Sequence, residues 1–176
     1  MWHKKVSLLF IAISLSLAVK AGIVYDGSPG TGAPPPTLGG LVMTPVPVDN
    51  RPFFANENFV SVSNSCPAQI NFGAPMNHRR IGIGWATWSH GYTGDVYYNN
   101  GVTTTVITLP SCSRGVYFYV EPDPFGFFDV SASANDGTTS GNISVNGLGG
   151  AHYVGFYTTS ATCLLTTITI TSTVDF

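Results

Sequence analysis

The feature that most limits what this chain can become is the rhythm of its apolar residues. Short runs rich in Val, Ile, Thr, Tyr and Phe are broken by Gly, Pro, Asn or Asp about every ten residues. No stretch sustains the apolar period of about 3.6 residues that a packed helix requires. Residues 165–174 show the pattern best. Ile168 and Ile170 fall on one side, and Thr167, Thr169, Thr171 and Thr173 on the other, as expected of a strand with one buried face. Residues 128–134 alternate Phe128, Val130, Ala132 and Ala134 with Asp129, Ser131 and Ser133. Residues 116–121 (VYFYVE) are apolar on both faces, which predicts a central strand. Asn99-Asn100-Gly101, between 96–98 and 102–109, predicts a hairpin turn. Asn135-Asp136-Gly137 predicts a second turn, with return through 143–145.

Adding 59–63, 68–72 and 151–158 makes about nine short strands. The fold class expected is all-β: an antiparallel β-sandwich, jelly-roll-like. Abundant Gly, Thr, Ser, Asn, Val and Tyr, with little Glu, Lys or Leu, favours sheets and turns over helices.

The N-terminus is organised differently. Met1-Trp2-His3-Lys4-Lys5 is basic, residues 6–19 are apolar, and Val19-Lys20-Ala21 offers small residues for cleavage after Ala21. Residues 1–21 thus read as a signal peptide, too short for a comfortable membrane span. A Gly/Pro-rich arm at 22–40 follows, beginning as a short strand at 23–25 and then extended or disordered. Residues 41–176 form one β-sandwich domain, with 41–48 (LVMTPVPV) an edge strand because its prolines cannot join a central ladder.

Cleavage removes Lys4, Lys5 and Lys20, leaving Arg51, Arg79, Arg80 and Arg114 against nine acidic residues and no lysine. Such a chain lacks the basic face that nucleic acid or an anionic membrane needs. A secreted or cell-surface location is expected, with no membrane span in the mature chain. Export permits disulfides among Cys66, Cys112 and Cys163. One bridge with a free thiol, or no bridge, are both open readings, and so is the pairing. The spacing matches no metal site.

Motifs for nucleophilic, metal-dependent or phosphate chemistry are missing, and His78, His90 and His152 each stand apart from other ligand-type residues. Glu121 and Asp123 form the nearest approach to a paired-carboxylate site of the kind glycan hydrolysis uses. Flanking Pro122 and Pro124 suit a rigid strand exit better. Calcium through these groups with Asp129 or Asp136 is a weaker option, since no calcium-loop pattern is present. Residues 82–98 (GIGWATWSHGYTGDVYY) concentrate Trp85, Trp88, His90, Tyr92, Asp95 and Tyr97 among glycines. Such aromatics either stack on sugar rings as a binding platform or plug the sandwich core.

The strings TPVPVDNRP (44–52), NHRRIGIGWATWSHGYTGDVYY (77–98), FYVEPDPFGFFDVSASANDGTTS (118–140) and GGAHYVGFYTTS (149–160) resemble a group of bacterial exoproteins of uncharacterised activity, often carrying a PEP-CTERM sorting tail. The resemblance covers residues 41–176 and implies export, a bacterial source and a jelly-roll-like sandwich. It supplies no catalytic residues. Those relatives continue past the last Thr-rich strand into a sorting tail that has no counterpart at Val174-Asp175-Phe176, so anchoring by that route is not expected.

The expected function is that of a secreted, non-enzymatic β-sandwich acting in matrix, adhesion or surface binding, with glycans or extracellular matrix as partners and no cofactor. The alternatives are a carbohydrate-binding module using the 85–98 aromatics and, behind it, a glycan hydrolase or lyase using Glu121 and Asp123.

Overall fold

The computed structural model describes residues 22–62 and 69–176. Cys66 and the predicted signal peptide lie outside the described residues. Among those residues there is no helix, and so none long and apolar enough to cross a membrane. The strands are β1 (Ile23–Asp26), β2 (Thr37–Leu38), β3 (Leu41–Val42), β4 (Asn56–Ser61), β5 (Gln69–Ile81), β6 (Gly84–Trp85), β7 (Asp95–Tyr98), β8 (Thr104–Thr108), β9 (Gly115–Val120), β10 (Phe127–Ala134), β11 (Ile143–Asn146), β12 (His152–Thr158) and β13 (Thr167–Ser172).

Two sheets make a sandwich. The smaller runs β1-β12-β9; the larger runs β11-β10-β13-β8-β5-β4, with β6 and β7 also pairing β5. All ladders are antiparallel except the short β5–β6 pairing. Thirteen strands exceed the expected nine mainly because β2, β3 and β6 are two-residue pieces. The alternation read in the sequence sets the core. Ile168 and Ile170 of β13, Val130 and Ala132 of β10 and Ile107 of β8 point inward to meet Val154 and Phe156 of β12. The threonines of β13 stay on the outer side, half-buried or exposed.

β5 is longer than the apolar pattern indicated. It runs thirteen residues by changing partners, pairing β8 at Asn71–Phe72 and β7 at Asn77–Arg79. Gly73 allows the crossing, because a Cβ there would sit 3.1 Å from the Val106 carbonyl oxygen. The predicted turn at 99–101 forms, with positive φ at Asn100 and Gly101, but it does not close a hairpin. β7 pairs β5, and β8 pairs β5 and β13. Asn99 instead donates its N–H to the Phe176 carbonyl at 2.9 Å and accepts the Phe176 N–H on Oδ1 at 3.0 Å. A competing long-range partner thus outbids the local one. The second turn behaves as expected: Gly137 has positive φ and β10 returns through β11, Val130 opposite Ile143.

The N-terminal arm is ordered across the outer face of the small sheet rather than disordered. Tyr153 N–H donates to the Gly30 carbonyl at 2.8 Å, and Tyr119 Oη donates to the Gly32 carbonyl at 2.5 Å. Aromatic residues on that face supply the apolar surface that holds the proline-rich stretch between β1 and the short β2–β3 ladder. Beyond Val42 the chain leaves strand conformation, so the edge strand expected over 41–48 is confined to Leu41–Val42.

Gly39 is the tightest point of the strap. Its φ is +55°, and a Cβ would lie 2.1 Å from the Tyr157 ring. For Gly39→Ala, the left-handed backbone costs about 1–2 kcal/mol and overpacking about 1–3 kcal/mol more. The expected result is a lower urea midpoint and faster proteolysis within 27–42. Unchanged values of both would mean the strap is not held at this point.

Candidate functional site

Where the small sheet ends, the large sheet continues, and a cleft of about 980 Å³ opens between them. Ile70 and Phe72 of β5 and Ile107 of β8 contribute its apolar floor. Residues 41–48 form one rim, on which Val42, Val46 and Val48 are 83%, 46% and 68% exposed. Every residue from Ser113 to Glu121 borders the cleft. A strand presents alternate side chains to each face, so an unbroken run means that the cleft lies against the edge of β9.

Ion pairs brace one wall. Asp49, at the end of the rim, donates its N–H to Asp95 Oδ2 at 2.9 Å and accepts Tyr97 Oη at 2.6 Å and Arg51 Nε at 2.9 Å. Arg51 also pairs with Glu57. Asp95 Oδ1 in turn accepts Arg80 Nε at 2.8 Å and lies 3.2 Å from His78 Nε2. The Arg51 guanidinium holds the Asp49 carboxyl well below its usual range despite partial burial. Burial would raise Asp95, but donors from Asp49, Arg80 and His78 outweigh it and keep it low.

A depressed carboxyl contributes stability above its unfolded pKa, here 3.8 for Asp49, and loses it as pH falls through the folded value. Asp49→Asn is therefore expected to be less stable than the parent near neutral pH, with the gap in urea midpoint closing below about pH 4. A gap independent of pH would sink this account of the rim.

The opposite wall is aromatic. Trp85 packs edge-on to Trp88 at 6.5 Å and 69°, and Trp88 is 6.1 Å from Tyr92. His90 lies 4.5 Å from Tyr119, and its hydrogen-bond partner is Ser89 Oγ at 2.9 Å. All six candidates, Trp85, Trp88, His90, Tyr92, Asp95 and Tyr97, border this one cleft. Trp85 is buried and Trp88 half-buried, at a steep mutual angle. They make a wall and not a flat outward platform.

No protein-family model, curated protein or solved structure matches the chain. The chemistry of the cleft therefore rests on its own residues.

Glu121 and Asp123 part company. Glu121 is 2% exposed and accepts Gly149 N–H at 2.8 Å, Thr87 Oγ1 at 3.2 Å and Trp85 Nε1 at 3.3 Å. Asp123 is exposed and does not border the cleft. Burial pushes the Glu121 carboxyl up, partly offset by these donors. Its geometry ties the 85–88 loop to the 147–150 turn. Asp136 accepts the Ile23 N–H at 3.1 Å and the Thr138 N–H at 2.9 Å, and among the described residues no group of three or more His, Cys, Asp or Glu gathers at metal spacing. Cys112 is disulfide-bonded and Cys163 is a free thiol; Cys66 is the chain's other cysteine.

Two features of the cleft were not legible beforehand. The first is that β9 is an edge strand, contrary to the central position its sequence suggested. Both its faces are covered, one by the core and one by the arm, so two-sided apolarity arises without a second neighbouring strand. The second is Arg114. Arg51, Arg79 and Arg80 all have side-chain partners, whereas the Arg114 guanidinium has none among the described residues and its Nε is buried. A signal existed: no carboxylate lies within six residues of Arg114 on either side.

Proposed function

We propose that this chain is an exported, non-enzymatic binding protein of the cell surface or extracellular matrix, and that it holds its ligand in the cleft beside β9. The observation that carries this reading is the cleft itself. Its roughly 980 Å³ is at the upper end of ligand-sized cavities, and its rim leaves large apolar side chains in water. Exposed apolar side chains gathered at the border of one cleft point to a binding site. The N-terminal signal, the acidic, lysine-free composition of the predicted mature chain and the resemblance to bacterial exoproteins support the export half of the proposal.

The test uses a filling substitution. Thr105 is buried on β8 and borders the cleft, so Thr105→Trp reduces its volume. The folded mature chain is expected to enhance the fluorescence of 1-anilinonaphthalene-8-sulfonate, and the filled variant to lose that enhancement while keeping its circular dichroism. Equal enhancement in both proteins would overturn the assignment.

Carbohydrate binding is the second reading, favoured by the partial exposure of Trp88 and Tyr92 at the aromatic wall. A glycan array with the mature domain and Trp88→Ala separates it: glycan retention lost in the variant would support it. The hydrolase or lyase reading is not carried forward, because Glu121 and Asp123 do not face a common space.

A further inference from the structure

The hydrogen-bonding groups along the cleft say more about its occupant than its volume does. Thr158 N–H donates to the Arg114 carbonyl at 2.8 Å. In an antiparallel ladder the residues that exchange such bonds alternate, so residues 114, 116, 118 and 120 direct their backbone groups to β12. Gly115, Tyr117 and Tyr119 then direct theirs the other way, into the cleft. Among the described residues, β12 is the only strand paired with β9. No backbone or side-chain partner from the described residues reaches the N–H or C=O of Gly115, Tyr117 or Tyr119.

An open edge beside apolar side chains is poorly matched by a purely apolar molecule. Such an occupant would strip water from three amides and three carbonyls without replacing their hydrogen bonds, which opposes its binding. An extended peptide repeats a donor and an acceptor every second residue along one edge, which is the spacing β9 offers over about 20 Å. Its side chains would alternate between the inter-sheet side, with Val116 and Phe118, and the aromatic side, with Tyr117 and Tyr119. Both surroundings are apolar.

Arg114 adds direction. It shares its side of the chain with Val116 and Phe118, borders the cleft, and lacks a side-chain partner among the described residues. A strand lying antiparallel to β9 ends, at its C-terminal side, beside Gly115 and Arg114. At the other end Glu121 already accepts three donors and asks for no cation.

We infer that the cleft is a strand-addition site: an extended, apolar peptide segment pairs antiparallel with the open edge of β9 and sets a carboxylate at its C-terminal end against Arg114. This deepens the proposed function and rests on it. Strand addition is a known mode of peptide recognition, in which main-chain bonds supply affinity and flanking pockets supply specificity.

The experiment uses the folded mature chain and synthetic acetyl-Lys-Thr-Val-Thr-Val-Thr-Val, labelled for fluorescence anisotropy. Two N-methylated versions block alternate amides, one set on each edge of the extended peptide. One version is expected to bind like the parent and the other to lose binding. Ending the peptide in a carboxamide, or replacing Arg114 with Gln, is expected to weaken binding about tenfold or more, and the two changes together no further. A carboxamide peptide with an added C-terminal Asp tells a chain terminus from an acidic side chain as the source of the carboxylate, by whether it restores affinity.

Equal binding of both N-methylated peptides, or no response to Arg114→Gln, would overturn the inference. If 1-anilinonaphthalene-8-sulfonate still responds to Thr105→Trp, the cleft survives as a ligand seat and only strand addition fails. If that response is missing as well, the proposed function fails with it.

Discussion

Phe156→Ala is expected to lower the unfolding free energy by about 3–5 kcal/mol, a large share of the roughly 5–15 kcal/mol typical of such a domain. Phe156 is 0% exposed at the middle of β12, the central strand of the small sheet. It packs against Tyr25 with ring centroids 5.5 Å apart and belongs to the cluster where the two sheets meet. Its removal leaves a void lined by strands held in register by both neighbours, so little collapse is available. Urea denaturation at constant slope reads the effect, and Phe156→Leu should cost much less, below about 1.5 kcal/mol. A loss under about 1 kcal/mol for the alanine variant would mean that the inner face of β12 does not carry the core.

The second large effect concerns Glu121. Alanine there removes the acceptor of Trp85 Nε1–H and Gly149 N–H, each a buried or part-buried donor whose loss of partner costs about 1–3 kcal/mol. The 85–88 loop and the 147–150 turn lose their common tie, so the aromatic wall of the cleft should loosen. Near-ultraviolet circular dichroism of the tryptophans is expected to weaken before the strand signal does.

The pH dependence carries its own sign. The Glu121 carboxyl is raised from 4.5 in the folded chain by burial. A raised group contributes fully below its unfolded pKa and loses that contribution as pH rises through the folded value. The stability gap between the parent and Glu121→Ala should therefore shrink as pH rises above the unfolded value of 4.5, while the depressed carboxyls Asp49, Asp95 and Asp136 act alike in both proteins and cancel. A gap that widens with rising pH would show that the three donors outweigh the cost of burying the charge.

Some parts of this molecule could be read from local sequence alone. Alternation in 165–174 and 128–134 told which side chains of β13 and β10 are buried, because a strand turns each successive side chain to the opposite face. The Asn-Asp-Gly and Asn-Asn-Gly turns formed, since Gly and Asn accept the positive φ required most readily.

Other parts depend on segments far apart in the chain. Apolarity on both faces of β9 reported burial correctly but said nothing of what does the burying. One cover is the arm, a Gly/Pro-rich stretch that shows no period of its own. A strand's edge lies along its hydrogen-bonding direction, where side chains leave no mark, so the open side of β9 has no sequence signature. The grouping of Trp85, Trp88, His90, Tyr92, Asp95 and Tyr97 was visible as a cluster, yet whether it faced out as a platform or inward as a wall depended on Glu121 and Tyr119, which lie well beyond the cluster in sequence. Arg114 is the sharpest case. Its residue type and sparse local charge were plain, but its lack of a partner follows from where every carboxylate of the fold comes to rest. All-β character, turns and charge are local properties of this chain; its cleft, its open edge and its unpaired arginine exist only once the two sheets have met unequally.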